Sequence, residues 1–109
     1  MEFIKAVDTS ELPAGKMVKV VLGGKEILVA NVAGSYYATA NNCNHAGGSL
    51  ADGILNGSTV TCPKHAAQYD VMTGRAVREA KIGFLKMKVK DEECFQVKVE
   101  GTTILVGVP

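Results

Sequence analysis

The sequence predicts an all-β domain, a small antiparallel sandwich or barrel. Three observations carry this. Turn signals recur about every ten residues, several segments alternate apolar and polar residues with period two, and no segment has a sustained helical period. Residues 16–22 (KMVKVVL) are apolar and β-branched, and Gly23-Gly24 follows as a hairpin turn. Residues 26–32 (EILVANV) resume the strand, Ala33-Gly34 turns it, and residues 35–39 (SYYAT) form the next. Residues 85–90 alternate, with Leu85, Met87 and Val89 on the expected buried face and Lys86, Lys88 and Lys90 on a solvated one. Asp91-Glu92-Glu93 is a polar turn. Residues 94–99 alternate again, with Phe95, Val97 and Val99 inward, Glu100-Gly101 turns the chain, and residues 104–108 close it. Ser10-Glu11-Leu12-Pro13 suits one helical turn at most.

A length of 109 residues fits one domain, with a core modest enough that a bound metal would add stability. The net charge of +1, with both signs dispersed, points to neither nucleic acid nor a membrane surface as partner. The N-terminal residues form no apolar signal region, and no stretch is long enough to span a bilayer. Three cysteines are an odd number, two of them sit beside histidines, and a disulfide framework is not expected. These features together predict a cytoplasmic protein.

Residues 41–57 break the pattern. They are rich in Asn, Gly and Ala and read as a long loop between strands, the kind that carries function. In and beside it lie Cys43-Asn44-His45 and Cys62-Pro63-Lys64-His65, with sixteen residues between His45 and Cys62. These motifs contain both histidines of the chain and two of its three cysteines. Two loops, each with one thiolate and one imidazole, suit a single tetrahedral zinc ion in a structural module. They also suit a 2Fe–2S centre in which each loop gives one ligand to each iron. Zinc fingers pair Cys with Cys and His with His, whereas here every loop is mixed. Cys94 is read as a thiol outside the site. Pro63 and Gly47-Gly48 shape the loops, and Gly74 is read as a turn residue. The small residues Ala46, Gly47, Gly48, Ala66 and Ala67 either form an apolar docking tip or keep the loops close.

The two motifs, in this order and spacing, resemble the Rieske iron–sulfur family. The resemblance continues through Tyr69-Asp70-Val71-x-Thr73-Gly74 and the upstream Gly34-x-Tyr36-Tyr37-Ala38, and covers roughly residues 3–106. It implies the Rieske fold, a single domain over residues 1–109. An antiparallel base at about 2–40 and 71–109 would carry an inserted cluster-binding subdomain at about 41–70. It implies one Rieske-type [2Fe-2S] cluster per chain, held by Cys43, His45, Cys62 and His65, with each histidine binding through Nδ1. It further implies a soluble one-electron ferredoxin that takes electrons from a reductase, a flavoprotein, and passes them to an oxygenase or other acceptor. The alternatives are a zinc module and an electron-transfer subunit of a larger oxidoreductase complex. A catalytic oxygenase subunit would need a further iron held by two histidines and a carboxylate, and no histidine remains for it. A respiratory subunit would need a membrane anchor.

The resemblance also sets expectations for the potential. Replacing two thiolates by neutral imidazoles removes negative charge and raises the potential, roughly to −150 to +300 mV against about −400 mV for all-cysteine clusters. High-potential relatives carry a disulfide between the ligand loops, where this chain has Gly48 and Lys64, and a serine where it has Ala67. Both replacements lower the potential. Tyr69 keeps the position of a hydroxyl directed at a ligand sulfur, and the charge of Lys64 adds a small upward push. A low-potential carrier is expected. Relatives often have a proline-rich segment after the Thr-Gly turn, whereas residues 78–83 (REAKIG) contain no proline.

Overall fold

The computed structural model describes residues 1–43 and 48–109, without the side chains of Lys81, Ile82 and Met87. The chain forms thirteen strands among these residues: β1 (Glu2–Asp8), β2 (Met17–Leu22), β3 (Lys25–Val32), β4 (Ser35–Ala40), β5 (Ile54–Asn56), β6 (Thr59–Thr61), β7 (Gln68–Asp70), β8 (Ala76–Arg78), β9 (Ala80–Ile82), β10 (Leu85–Met87), β11 (Cys94–Phe95), β12 (Val97–Glu100) and β13 (Thr103–Val108). All pairings are antiparallel. They build one sheet ordered β1-β13-β12, one ordered β11-β4-β3-β2, one ordered β5-β6-β7-β8, and a β9–β10 ribbon. No helix among the described residues is long and apolar enough to cross a membrane.

Strand β3 explains how the layers join. Its sequence is a nearly unbroken apolar run, the mark of a strand covered on both faces. Ile27 and Val29 point into a core shared with Leu12, Phe95, Ile104 and Val106, between the first two sheets. Leu28 and Ala30 point the other way, into a second core with Leu50, Val60, Tyr69 and Val71. Burying each of these large side chains is worth about 1.5–3 kcal/mol. The second core also contains Cys43 and Cys62, so β3 is a common wall between the first core and the loops that bear these two cysteines.

Several elements differ from expectation. The strand expected over residues 85–90 ends at Met87, and Leu85 is 58% exposed. It belongs to a two-stranded ribbon with no third strand beside it, so alternation does not decide burial there. The side chain of Met87 lies outside the described ones. The strand expected over 94–99 is two strands. The chain leaves β4 after Phe95 and pairs with β13 from Val97; Val97 packs against the core, whereas Val99, further along the edge strand β12, is 44% exposed. Strand β1 is hard to read from sequence because a register shift between Lys5 and Val7 interrupts its alternation. The loop expected over 41–57 holds a 3-10 turn, Leu50–Asp52, and strand β5. Gly74 is more than a turn residue: its Cα faces the Glu92 carbonyl so closely that a Cβ would overlap it, and its carbonyl accepts the Glu92 N–H at 2.7 Å.

Asp8 closes a capping box over the turn Thr9–Glu11. Its carboxylate accepts the Ser10 amide at 2.9 Å and the Thr102 hydroxyl at 2.9 Å. The Ser10 backbone bond, then its hydroxyl, hold the Asp8 pKa below the ordinary carboxylate value. The stabilisation is therefore fully present above that ordinary value and is lost as pH falls through the lower folded pKa. Asp8→Ala is expected to flatten the acid limb of the stability–pH curve. A melting series in acid buffers checks it: an acid limb as steep in the variant as in the parent would exclude a contribution from Asp8.

Candidate metal centre

Both described ligand loops are closed by their own backbone. In the first, the Cys43 N–H donates to the Gly48 carbonyl at 2.7 Å, and Asn42 bridges Ser49. Asn41, fully buried, braces this neck. Its side-chain amide donates to the Ser49 hydroxyl at 2.9 Å, its side-chain carbonyl accepts the Ala51 N–H at 3.0 Å, and its backbone carbonyl accepts the Leu50 N–H at 2.8 Å. In the second loop, the Cys62 N–H donates to the Ala67 carbonyl at 2.8 Å and the Ala66 N–H to the Cys62 carbonyl at 3.2 Å. Ala66 closes that loop in the left-handed region at φ 61°, a conformation that costs a residue with a Cβ roughly 1–2 kcal/mol.

These loops bring together most of the expected site. Cys43 and Cys62 are each 2% exposed and their side chains interact directly. None of the three cysteines is in a disulfide. Burial pushes the Cys62 thiol up, and the backbone amides of Lys64 and His65, which donate to its sulfur, pull the other way. His65 is half-buried, with its Nδ1 shielded from solvent. His45 lies outside the described residues, as do Asn44, Ala46 and Gly47. Gly48 is buried and Lys64 exposed. A Cβ on Gly48 would stand 3.3 Å from Lys64 Cγ and 3.4 Å from Cys62 Sγ, so positions 48 and 64 face each other across the two loops. Ala67 is fully buried and offers a methyl group with no hydroxyl to donate. Cys94 is exposed on β11, its thiol 3.9 Å from the Met72 carbonyl.

Tyr69 lies fully buried on β7, its hydroxyl 3.6 Å from Cys43 Sγ. Burial, and then Cys43, push the phenol far above its ordinary value, so it stays protonated and donates to a thiolate sulfur. A hydroxyl donor stabilises the more negative, reduced state of a cluster bound through that sulfur. Tyr69→Phe is expected to lower the midpoint by about 40 mV, equivalent to about 1 kcal/mol in a one-electron couple. Redox titration checks it: a midpoint equal to that of the parent would exclude the bond.

Two soft sulfurs side by side, one from each loop, with a buried imidazole nitrogen on the second loop, fit an iron–sulfur group. Among the described residues no three Cys, His, Asp or Glu side chains converge to hold one metal ion. A diiron core shares its protein ligands two to each iron and does not require such convergence. Asn41 was not legible as part of the site. Its only sequence signal is a polar residue two positions before Cys43, indistinguishable from an ordinary loop asparagine.

Comparison with known proteins agrees with this geometry. Residues 2–87 match the family described as Rieske [2Fe-2S] domain. The ferredoxin component of the naphthalene 1,2-dioxygenase system of Pseudomonas putida is 38% identical over 108 residues, covering 99% of this chain and 97% of that one. The ferredoxin of carbazole 1,9a-dioxygenase from Nocardioides aromaticivorans superposes with a TM-score of 0.83 at 28% identity, over 97% of both chains. A carbazole 1,9a-dioxygenase complex of reduced oxygenase and oxidized ferredoxin gives 0.78 at 26% identity, over 95% of this chain and 91% of that one.

Proposed function

The chain belongs to the Rieske [2Fe-2S] domain family, and from that premise we propose that it carries single electrons from a flavoprotein reductase to an oxygenase in the cytoplasm. The ligands are Cys43, His45, Cys62 and His65. When bound, the cluster supplies one-electron redox chemistry, and turnover of an organic substrate belongs to the acceptor. The observation that carries the reading is the pair of closed loops placing Cys43 and Cys62 side by side under the Tyr69 hydroxyl.

Each residue has a stated task. The two cysteines would hold one iron and the two histidines the other, and the neutral imidazoles would leave their side with less negative charge to oppose an added electron. The Lys64 and His65 amides and the Tyr69 hydroxyl donate toward the sulfurs and offset the added charge. Gly48, Lys64 and Ala67 omit the cross-loop disulfide and the serine hydroxyl, which keeps the potential near the bottom of the Rieske range of roughly −150 to +300 mV. In the same reading residues 41–70 bear the cluster on a base of 2–40 and 71–109, and β8 extends the cluster-side sheet.

Reconstitution tests the reading. The purified brown protein is expected to contain iron and acid-labile sulfide in equal amounts and to bleach on reduction. In catalytic quantity it is expected to restore electron flow from its cognate reductase to its cognate oxygenase. A colourless protein containing zinc, or electron flow as fast without it, would overturn the proposal.

A further inference from the structure

Residues 75–90 contain six of the twelve Lys and Arg residues and one of the eleven acids, so this segment is +5 in a chain of +1. Within it β9 and β10 form a hairpin in which Leu85 pairs with Ile82, leaving Gly83-Phe84 as a two-residue turn. Gly83 has φ 61° and Phe84 has no positive φ, the pattern of a type II′ turn that takes glycine first. The turn presents Phe84 to solvent at 96% exposure, beside Leu85 at 58%, while Val77 on the neighbouring β8 is 56% exposed. Isolated exposed apolar residues are ordinary, but an aromatic at the tip of a cationic hairpin is a concentrated feature. Arg78, Lys86 and Lys88, with Glu79 and Asp91, line a groove of about 620 Å³ at its base.

The hairpin is rooted in the metal-binding core. Ala80, its first residue, is fully buried in the cluster of side chains that contains Cys43 and Cys62. Three strand residues span about 10 Å, so the tip stands about that far from this core. We propose that Phe84 and Leu85, ringed by Arg78, Lys86 and Lys88, dock a protein redox partner whose face offers an apolar pocket rimmed by carboxylates. This rests on the electron-carrier reading above. The cations speed encounter, and the aromatic supplies the short-range anchor. Glu79 and Asp91 among the cations suit a protein face of mixed charge and oppose a uniformly anionic lipid or nucleic-acid surface. The exposed turn thus gives a function to the lysine face that sequence alone assigns to solvent.

The test uses the cluster-loaded full chain with its cognate reductase and oxygenase, following second-order electron transfer against ionic strength. Phe84→Ala is expected to slow transfer with at least one partner by about tenfold or more, the loss of an interface anchor. Its visible spectrum, midpoint and melting temperature should stay unchanged. Lys86→Glu/Lys88→Glu is expected to lower the rate at low salt and flatten its salt dependence. Parental rates in both variants would overturn the docking site while leaving the carrier reading intact. So would loss in Phe84→Ala of a dimer formed by the parent, or of its binding to vesicles of anionic lipid, with transfer rates unchanged. Failure of the parent protein itself to exchange electrons would overturn the carrier reading and the docking site together.

Discussion

Cys62→Ser is expected to abolish cluster assembly. The Cys62 sulfur is 2% exposed, lies against Cys43, and accepts the amides of Lys64 and His65. A thiol becomes a thiolate ligand at neutral pH once metal is present, whereas a serine hydroxyl keeps its proton and is a poor match for iron in a sulfide core. Because the binding energy of such a group is also folding energy, the variant should lose thermal stability along with its colour. Iron and sulfide analysis with the visible spectrum checks this, and Cys94→Ser is the control. Cys94 is exposed on β11, opposite Thr39 of β4, and should be replaceable with full iron content retained. A Cys62→Ser protein with the parental cluster content would remove Cys62 from the ligand set.

Gly53→Ala is expected to be the most damaging single methyl addition among the described glycines. Gly53 joins the turn Leu50–Asp52 to β5, and a Cβ there would overlap the backbone carbonyl of Thr61. Backbone cannot swing aside as a side chain can. The cost is about 3 kcal/mol, the upper end of ordinary overpacking, which in a domain of this size lowers the melting temperature by roughly 10–20 °C. Thr61 immediately precedes Cys62, so the displaced strand carries a ligand with it, and cluster occupancy should fall as well. Thermal melts of the loaded protein and iron content together check this. A parental melting temperature would mean that the two backbones are not in contact.

The candidate ligands stand out in the sequence because their chemistry is rare. Two histidines and two cysteines in mixed pairs leave few alternatives. The strands of residues 16–40 were legible for a related reason: tight Gly-containing turns delimit them, and β3 is apolar throughout. What stayed hidden depends on which element backs which. Residues 85–90 and 94–99 carry the same alternation. Phe95 enters the core because β11 pairs with β4, whereas Leu85 is exposed because its ribbon has no third strand. Asn41, Gly53 and Gly74 were illegible for a different reason. Each owes its role to contacts made beyond its own turn, through its side chain for Asn41 and through close backbone approach for the two glycines, and no local pattern marks that in advance.

The neck braced by Asn41 has a kinetic meaning. A residue that satisfies the Ser49 hydroxyl and the Ala51 and Leu50 amides at once locks the ends of the first ligand loop before any ligand distance can change. Electron transfer is slowed by whatever atoms must rearrange when charge arrives. The neck itself, fixed by three hydrogen bonds beside a strand buried on both faces, has little to rearrange. Atoms held in place in this way add little to the reorganisation that accompanies charge transfer, and fast exchange at small driving force depends on keeping that contribution small.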